Sequence, residues 1–254
     1  MVTPAWLRSI THASLAHVHH PDRALVENIL LALPMLLFAL VAHEFAHGWA
    51  ALQQGDDTAY KLGRLTLNPL PHIDPIYTVA MPVFLLFITH GQFTFGGAKP
   101  VPVITRNFRN FRRGDIIVSS AGIVTNLLLA IACTALFAAA GEAYVLVGRV
   151  GTSTVDALQR MMIWGVQINL ILAFFNLIPI PPLDGSRLFY HALPPALGAR
   201  YRSLDRFGLL LVLALVYLLP GVISVLLTPE RWALSHLLDL ALPFAVGDVS
   251  NIFQ

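Results

Sequence analysis

The chain has 254 residues, of which 56% are hydrophobic and only 12% charged, with a mean hydropathy of +0.70. An average soluble domain carries about 25% charged residues, so this is the composition of an integral membrane protein with no room for a sizeable soluble domain beside its bundle. A net charge of +2 gives no reason to expect nucleic acid as a partner, and the lone Cys133 excludes an internal disulfide.

In chain order, residues 1–26 read as an interfacial N-terminal leader. They lack the long apolar run of a signal peptide and carry His12, His17, His19 and His20. A membrane-embedded core is expected over 27–227, followed by a C-terminal interfacial helix and tail over 228–254. Five segments make up the core: 27–54, 76–90, 115–140, 156–181 and 206–227. A helix needs about 20 apolar residues to cross the bilayer core, which every segment but 76–90 provides. That segment is short and contains Pro82.

The placement of Lys and Arg orients the bundle. Lys61 and Arg64 follow the first segment, and Lys99, Arg106, Arg109, Arg112 and Arg113 precede the third. Arg187, Arg200, Arg202 and Arg206 lie between the last two, whereas only Arg149 and Arg160 separate the third from the fourth. The first three groups read as cytoplasmic. Segment 76–90 must then enter and leave on the same side. Non-helical backbone at membrane depth survives only where protein or a wet cavity covers it, so a re-entrant element is expected there. The glycines of Phe95-Gly96-Gly97-Ala98 allow close backbone approach. The alternating Pro100-Val101-Pro102-Val103 reads as edge-type extended chain.

The chemistry lies in the first segment, which reads His43-Glu44-Phe45-Ala46-His47 directly after the uncharged run Ile29–Ala42. Histidines at i and i+4 face the same way, one helical turn apart, which suits two nitrogens on one zinc ion. The adjacent glutamate can act as general base on a water that the zinc activates. A third ligand is needed, and Asp184 is the best candidate. It ends Asn176-Leu177-Ile178-Pro179-Ile180-Pro181-Pro182-Leu183-Asp184-Gly185, where three prolines break the fourth segment. For Asp184 to meet the histidines, the first and fourth segments must run in parallel. Its other reading is a helix cap or a salt bridge with Arg187. His72 and Asp74, beside prolines, read as turn and cap residues, and His90, His191 and His236 as interfacial or surface ones. Asn169 either supports a metal ligand from behind or makes an interhelical hydrogen bond, and the latter is favoured.

In this order, HEFAH, GRLTLNPLPHIDP, FGGAKPVPV and NLIPIPPLDG resemble the site-2 protease family of intramembrane zinc metalloproteases (peptidase family M50). The likeness is strongest to its compact bacterial branch without PDZ or CBS domains, and it covers about 27–190. The resemblance implies an all-α polytopic fold: a helical bundle with a re-entrant segment and a short membrane-embedded β-hairpin that receives extended substrate. It implies one Zn²⁺ held by His43, His47 and Asp184, Glu44 as the base, and Asn176 as a catalytic and substrate-holding residue. Gly96, Gly97 and Asn126 are the further candidates for substrate binding. Gly97 stands where the family often has Trp, and Ile123 where it often has Pro.

The expected function is thus a zinc metalloendopeptidase that cuts single-span membrane proteins within or beside their transmembrane helix. Its expected location is the bacterial inner membrane, as a multi-pass protein with the active site nearer the cytoplasm. The alternatives are a catalytically silent binding or chaperone-like protein on the same fold, and a metal transporter. Substrate identity and oligomeric state stay open.

Overall fold

A computed structural model describes residues 21–80, 84, 87 and 97–247. Among them three helices are long and apolar enough to cross a membrane. They are α1 (Pro21–Gln54), α3 (Phe111–Leu146) and α4 (Thr152–Asn176), with the one-turn α2 (Thr58–Lys61) between the first two. At 1.5 Å per residue the shortest of the three is still about 37 Å long, beyond the roughly 30 Å hydrocarbon core. The side chain of Asn110 caps α3 by accepting the Arg113 N–H at 3.0 Å. Helix α4 stops at Asn176 because the prolines that follow cannot continue its hydrogen bonds.

Where these helices touch fixes their directions. Met35, Cys133 and Gly165 meet at one level, the rings of His43 and His47 lie against Gly122, and Gln159 reaches the carbonyl of Phe137. As α1 advances, α3 therefore retreats, and α4 runs antiparallel to α3. So α1 and α4 are parallel, and both end where the chemistry is. Met35, Ala130, Cys133, Phe137, Ile163, Val166 and Leu170 form the core between them. Leu30, Phe38, Leu128, Ile131 and Leu136 are exposed on the outside, an apolar face that a lipid solvent satisfies. The protein is a multi-pass membrane protein.

Three expectations need correction or limits. No strand occurs among the described residues, so the expected membrane-embedded β-hairpin is absent from Gly97–Val103. The physical reason is that the donors a ladder would need are missing or spent. Pro100 and Pro102 have no N–H, the Lys99 N–H goes to His72 O at 2.7 Å, and the Val101 N–H goes to the Glu44 side chain. The segment is extended, but it is strapped to the helices rather than paired with another strand. Segment 76–90 lies largely outside the described residues, as do residues 1–20 of the leader expected over 1–26, whose last six residues are helical and open α1.

The fifth segment is not one straight helix. Helices α7 (Gly208–Leu218) and α8 (Pro220–Leu226) meet at a 99° bend, because Pro220 cannot donate into the preceding turn. Before them come the short helices α5 (Asp184–Tyr190) and α6 (Pro195–Arg202), and after them α9 (Thr228–Ala241). Helix α9 does more than lie at an interface. Leu234, Leu237, Leu238 and Ala241 pack on the α3–α4 core, and Gln159 bonds both Phe244 O and Val246 N beyond its end.

The connection from α1 to α3 starts and finishes at one place. The Arg109 N–H donates to Gln54 O at 2.9 Å, and Asn107 lies 3.5 Å from Thr58 through their polar side-chain atoms. Single cysteines at the exposed positions Tyr60 and Arg106, in a Cys133→Ser background, are therefore expected to react with an impermeant maleimide from the same face of sealed vesicles. Labelling from opposite faces would break the arrangement of α1 and α3 described above.

Candidate metal and catalytic centre

His43 and His47 lie on the α3-facing side of α1, 7% and 9% exposed. Asp184 is the first residue of α5 and is brought to them by the parallel run of α1 and α4. His43 Nε2 and His47 Nε2 are 3.0 Å apart, and Asp184 Oδ2 lies 3.2 and 3.1 Å from them. These separations approximate one face of a tetrahedron: bonds of 2.0–2.1 Å to a single zinc would place ligand atoms about 3.3 Å apart.

The hydrogen bonds behind the triangle show that it suits a cation. His47 Nδ1 lies 2.7 Å from the carbonyl oxygen of Val118, which only accepts, so Nδ1 carries the proton. His43 Nδ1 faces the Asn126 amide oxygen at 3.0 Å and donates in the same way. In the neutral imidazoles that a metal requires, both Nε2 atoms then present lone pairs to one another and to a carboxylate. The buried Asp184 Oδ2 has no hydrogen-bond partner. Three acceptors converge with no donor among them, which is the donor set a Zn²⁺ ion satisfies.

Two glycines make this geometry possible. A Cβ on Gly122 would overlap the rings of both histidines, with His47 Nε2 only 2.6 Å away. A Cβ on Gly185 would run into the carbonyls that end α4, at Leu177 and Ile178. The glycine after Asp184 therefore serves close approach of α5 to α4.

Glu44 points into a cleft of ≈ 230 Å³ lined by His43, His47, Val101, Val118, Asn176 and Asp184, among others. The Val101 N–H donates to its Oε2 at 2.7 Å. Asn176 is half-buried at the cleft wall, and its Nδ2 donates to Leu172 O within α4 at 2.9 Å. Asn126 is fully buried behind His43 and does not line this cleft. Gly97 accepts the Thr78 hydroxyl at 2.7 Å on its carbonyl and has open space where a side chain would stand, while Gly96 lies outside the described residues. Asn169 bonds Gly165 O inside its own helix, with no interhelical partner among the described residues.

Several residues near the site are legible only in three dimensions. Arg187 sits 3.7 Å from Asp115, and the ion-pair contacts of Asp184 among the described residues are with His43 and His47. His191, expected at an interface or surface, has a side chain only 6% exposed, and its Nε2 lies 2.7 Å from Asp115 Oδ2, which ties the end of α5 to the start of α3. Asp56, 1% exposed just past α1, accepts the Ile104 N–H at 2.6 Å and the Asn107 side chain at 2.8 Å, and also binds the Thr58 hydroxyl. A charge straight after an apolar helix was the available signal. Burial alone would raise the Asp56 pKa, but the bonds from Thr58, Ile104 and Asn107 outweigh it and hold the carboxyl below its ordinary 3.8.

A carboxyl depressed in the fold stabilises it above its unfolded pKa, and the contribution disappears as pH falls through the folded value. Asp56→Ala should therefore lower the thermal midpoint in detergent at pH 7, with a cost of about 2–4 kcal/mol for the orphaned donors. The gap from wild type should close at pH values below that of an ordinary carboxyl. A constant gap across this range would show that the carboxylate's charge plays no part.

Comparison with known proteins comes to the same chemistry. Residues 107–219 match the family model described as Peptidase family M50. The chain is 39% identical to the Bacillus subtilis (strain 168) protein named "Putative zinc metalloprotease YwhC", over 73% of this chain and 81% of that one. It is 31% identical to "Putative zinc metalloprotease Rip2" of Mycolicibacterium smegmatis (strain ATCC 700084 / mc(2)155), over 84% of this chain and 73% of the relative. No solved structure gives a significant match.

Proposed function

The chain belongs to peptidase family M50 and is a zinc metalloprotease, and from that premise we propose that it cuts membrane-anchored proteins within or beside their transmembrane helix. The observation that carries this reading is the place of the His43–His47–Asp184 triangle: it lies between α1, α3 and α4, whose outer faces are apolar. Substrates of matching depth are segments that are themselves in the membrane, and single-span proteins are the simplest of them.

His43, His47 and Asp184 would hold the zinc, which when bound supplies a Lewis acid and lowers the pKa of water. Glu44 has one carboxylate oxygen on the Val101 amide and the other available in the cleft. That second oxygen takes the proton of the attacking water and passes it to the leaving amide nitrogen. One N–H of Asn176 is spent on Leu172 O, and the second is available to the oxygen of the scissile carbonyl. A substrate helix must unwind locally to present that carbonyl, because its backbone groups are otherwise bonded within the helix.

The site end of the bundle carries Arg106, Arg109, Arg112, Arg113, Arg187, Arg200, Arg202 and Arg206. By the preference of cationic loops for the cytoplasm, the active site opens on that side of a bacterial inner membrane. The test compares membrane peptides from native-host cells that carry the wild-type protein or Glu44→Gln. Fragments cut inside apolar segments should appear only with wild type. Fragments confined to soluble proteins would overturn the intramembrane reading.

A further inference from the structure

Residues Gly97–Ile104 run along the cleft as an extended strap, with Pro100, Val101 and Val103 in its lining. Both ends are fastened to the scaffold. The Thr78 hydroxyl donates to Gly97 O at 2.7 Å, and the Lys99 N–H donates to His72 O at 2.7 Å. The Arg64 guanidinium donates to Lys99 O at 2.9 Å, and the Ile104 N–H donates to Asp56 Oδ2 at 2.6 Å. The middle reads Pro100-Val101-Pro102. Proline has no N–H, so Val101 carries the one amide donor of this tripeptide, and that donor goes to Glu44 Oε2 at 2.7 Å. Val101 is 7% exposed, and its side chain sits against Gly48, one turn beyond Glu44 on α1.

We propose that Val101 is a positioning residue for hydrolysis: its amide holds one oxygen of Glu44 and so aims the other at the reacting atoms. This rests on the reading of Glu44 as the base. A glutamate has three rotatable bonds, and a charge-assisted hydrogen bond from a rigid backbone selects one of their combinations. The rigidity has two sources. The prolines lock φ on either side of Val101, and Asp56 and His72 fix the ends of the strap. Aim matters because a misplacement of about 1 Å at a reacting group costs on the order of 100-fold in rate. The prolines flanking Val101 also keep the strap's middle out of any ladder, so the amide stays committed to the carboxylate.

The test uses the full-length, zinc-loaded protein in liposomes and a single-span reporter helix that wild type cuts. Val101→Ala keeps the N–H and sets the reference for loss of the side chain alone. Val101→Pro removes it and should lower kcat about 10–100-fold, with KM and zinc content unchanged. Equal kcat in the two variants would overturn the proposal. Should Val101→Pro lose zinc or fail to fold, the deciding variant replaces Val101 with its α-hydroxy analogue, which turns the amide into an ester and deletes the N–H alone. A wild-type kcat in that ester variant overturns the proposal, and a 10–100-fold fall with zinc retained supports it. The reading of Glu44 fails separately, through a Glu44→Gln protein that still turns over the reporter at the wild-type rate.

Discussion

Glu44→Gln is expected to keep its zinc and its fold and to lose cleavage by about 10²–10⁴-fold, the usual contribution of a positioned general base. The amide is nearly isosteric with the carboxylate. Its oxygen can still accept the Val101 N–H, so the strap that lines the cleft should stay in place. What disappears is the second carboxylate oxygen and its ability to take a proton. A helix also turns about 100° between neighbouring residues, which points Glu44 away from the corner occupied by His43 Nε2. Zinc stoichiometry should thus be unchanged, as measured by metal analysis of the purified protein. Loss of zinc together with activity would make Glu44 a ligand, and turnover close to wild type would leave it without a role in the chemistry.

Asp184→Ala should fail at an earlier step, with both zinc and cleavage lost. The carboxylate oxygen lies 3.1–3.2 Å from both ring nitrogens and has no hydrogen-bond partner of its own. Without it, two neutral imidazoles remain, and a zinc site requires three protein ligands to hold the ion and leave a reactive position. Loss of an outer-shell partner already costs 10–100-fold in affinity, so loss of a ligand should cost more than about 100-fold. Competition with a chelator of known affinity measures this directly. Near-stoichiometric zinc at unchanged affinity in Asp184→Ala would remove Asp184 from the ligand set. The two variants separate binding from chemistry, because Glu44→Gln should be loaded and silent while Asp184→Ala should be empty.

Much of this protein is determined by local sequence. Apolar runs of membrane length specify α1, α3 and α4, since within a bilayer every backbone polar group must be bonded inside its own segment. The spacing of His43 and His47 needs only a helix to become a pair of ligands, and the proline run after Asn176 ends α4 wherever it is placed. Asp184 was legible for a related reason: a carboxylate at that depth needs a partner.

Packing decided the rest. The expected β-hairpin gave way to a strap because the few donors of Gly97–Ile104 are claimed by His72, Glu44 and Asp56, residues distant in sequence. The fifth segment has enough apolar residues for a span, yet it bends at Pro220, since length and hydropathy do not register a missing N–H. Asn126 was a candidate for substrate and instead faces the ring of His43, and Gly122 is small because two imidazoles occupy the space beside it. Sequence alone determined which side chains could bind a metal and move a proton, because residue type and helical period carry that information. The tertiary structure decided what holds those side chains in place, because hydrogen-bond partners and close approaches between distant segments exist only once α1, α3 and α4 have packed.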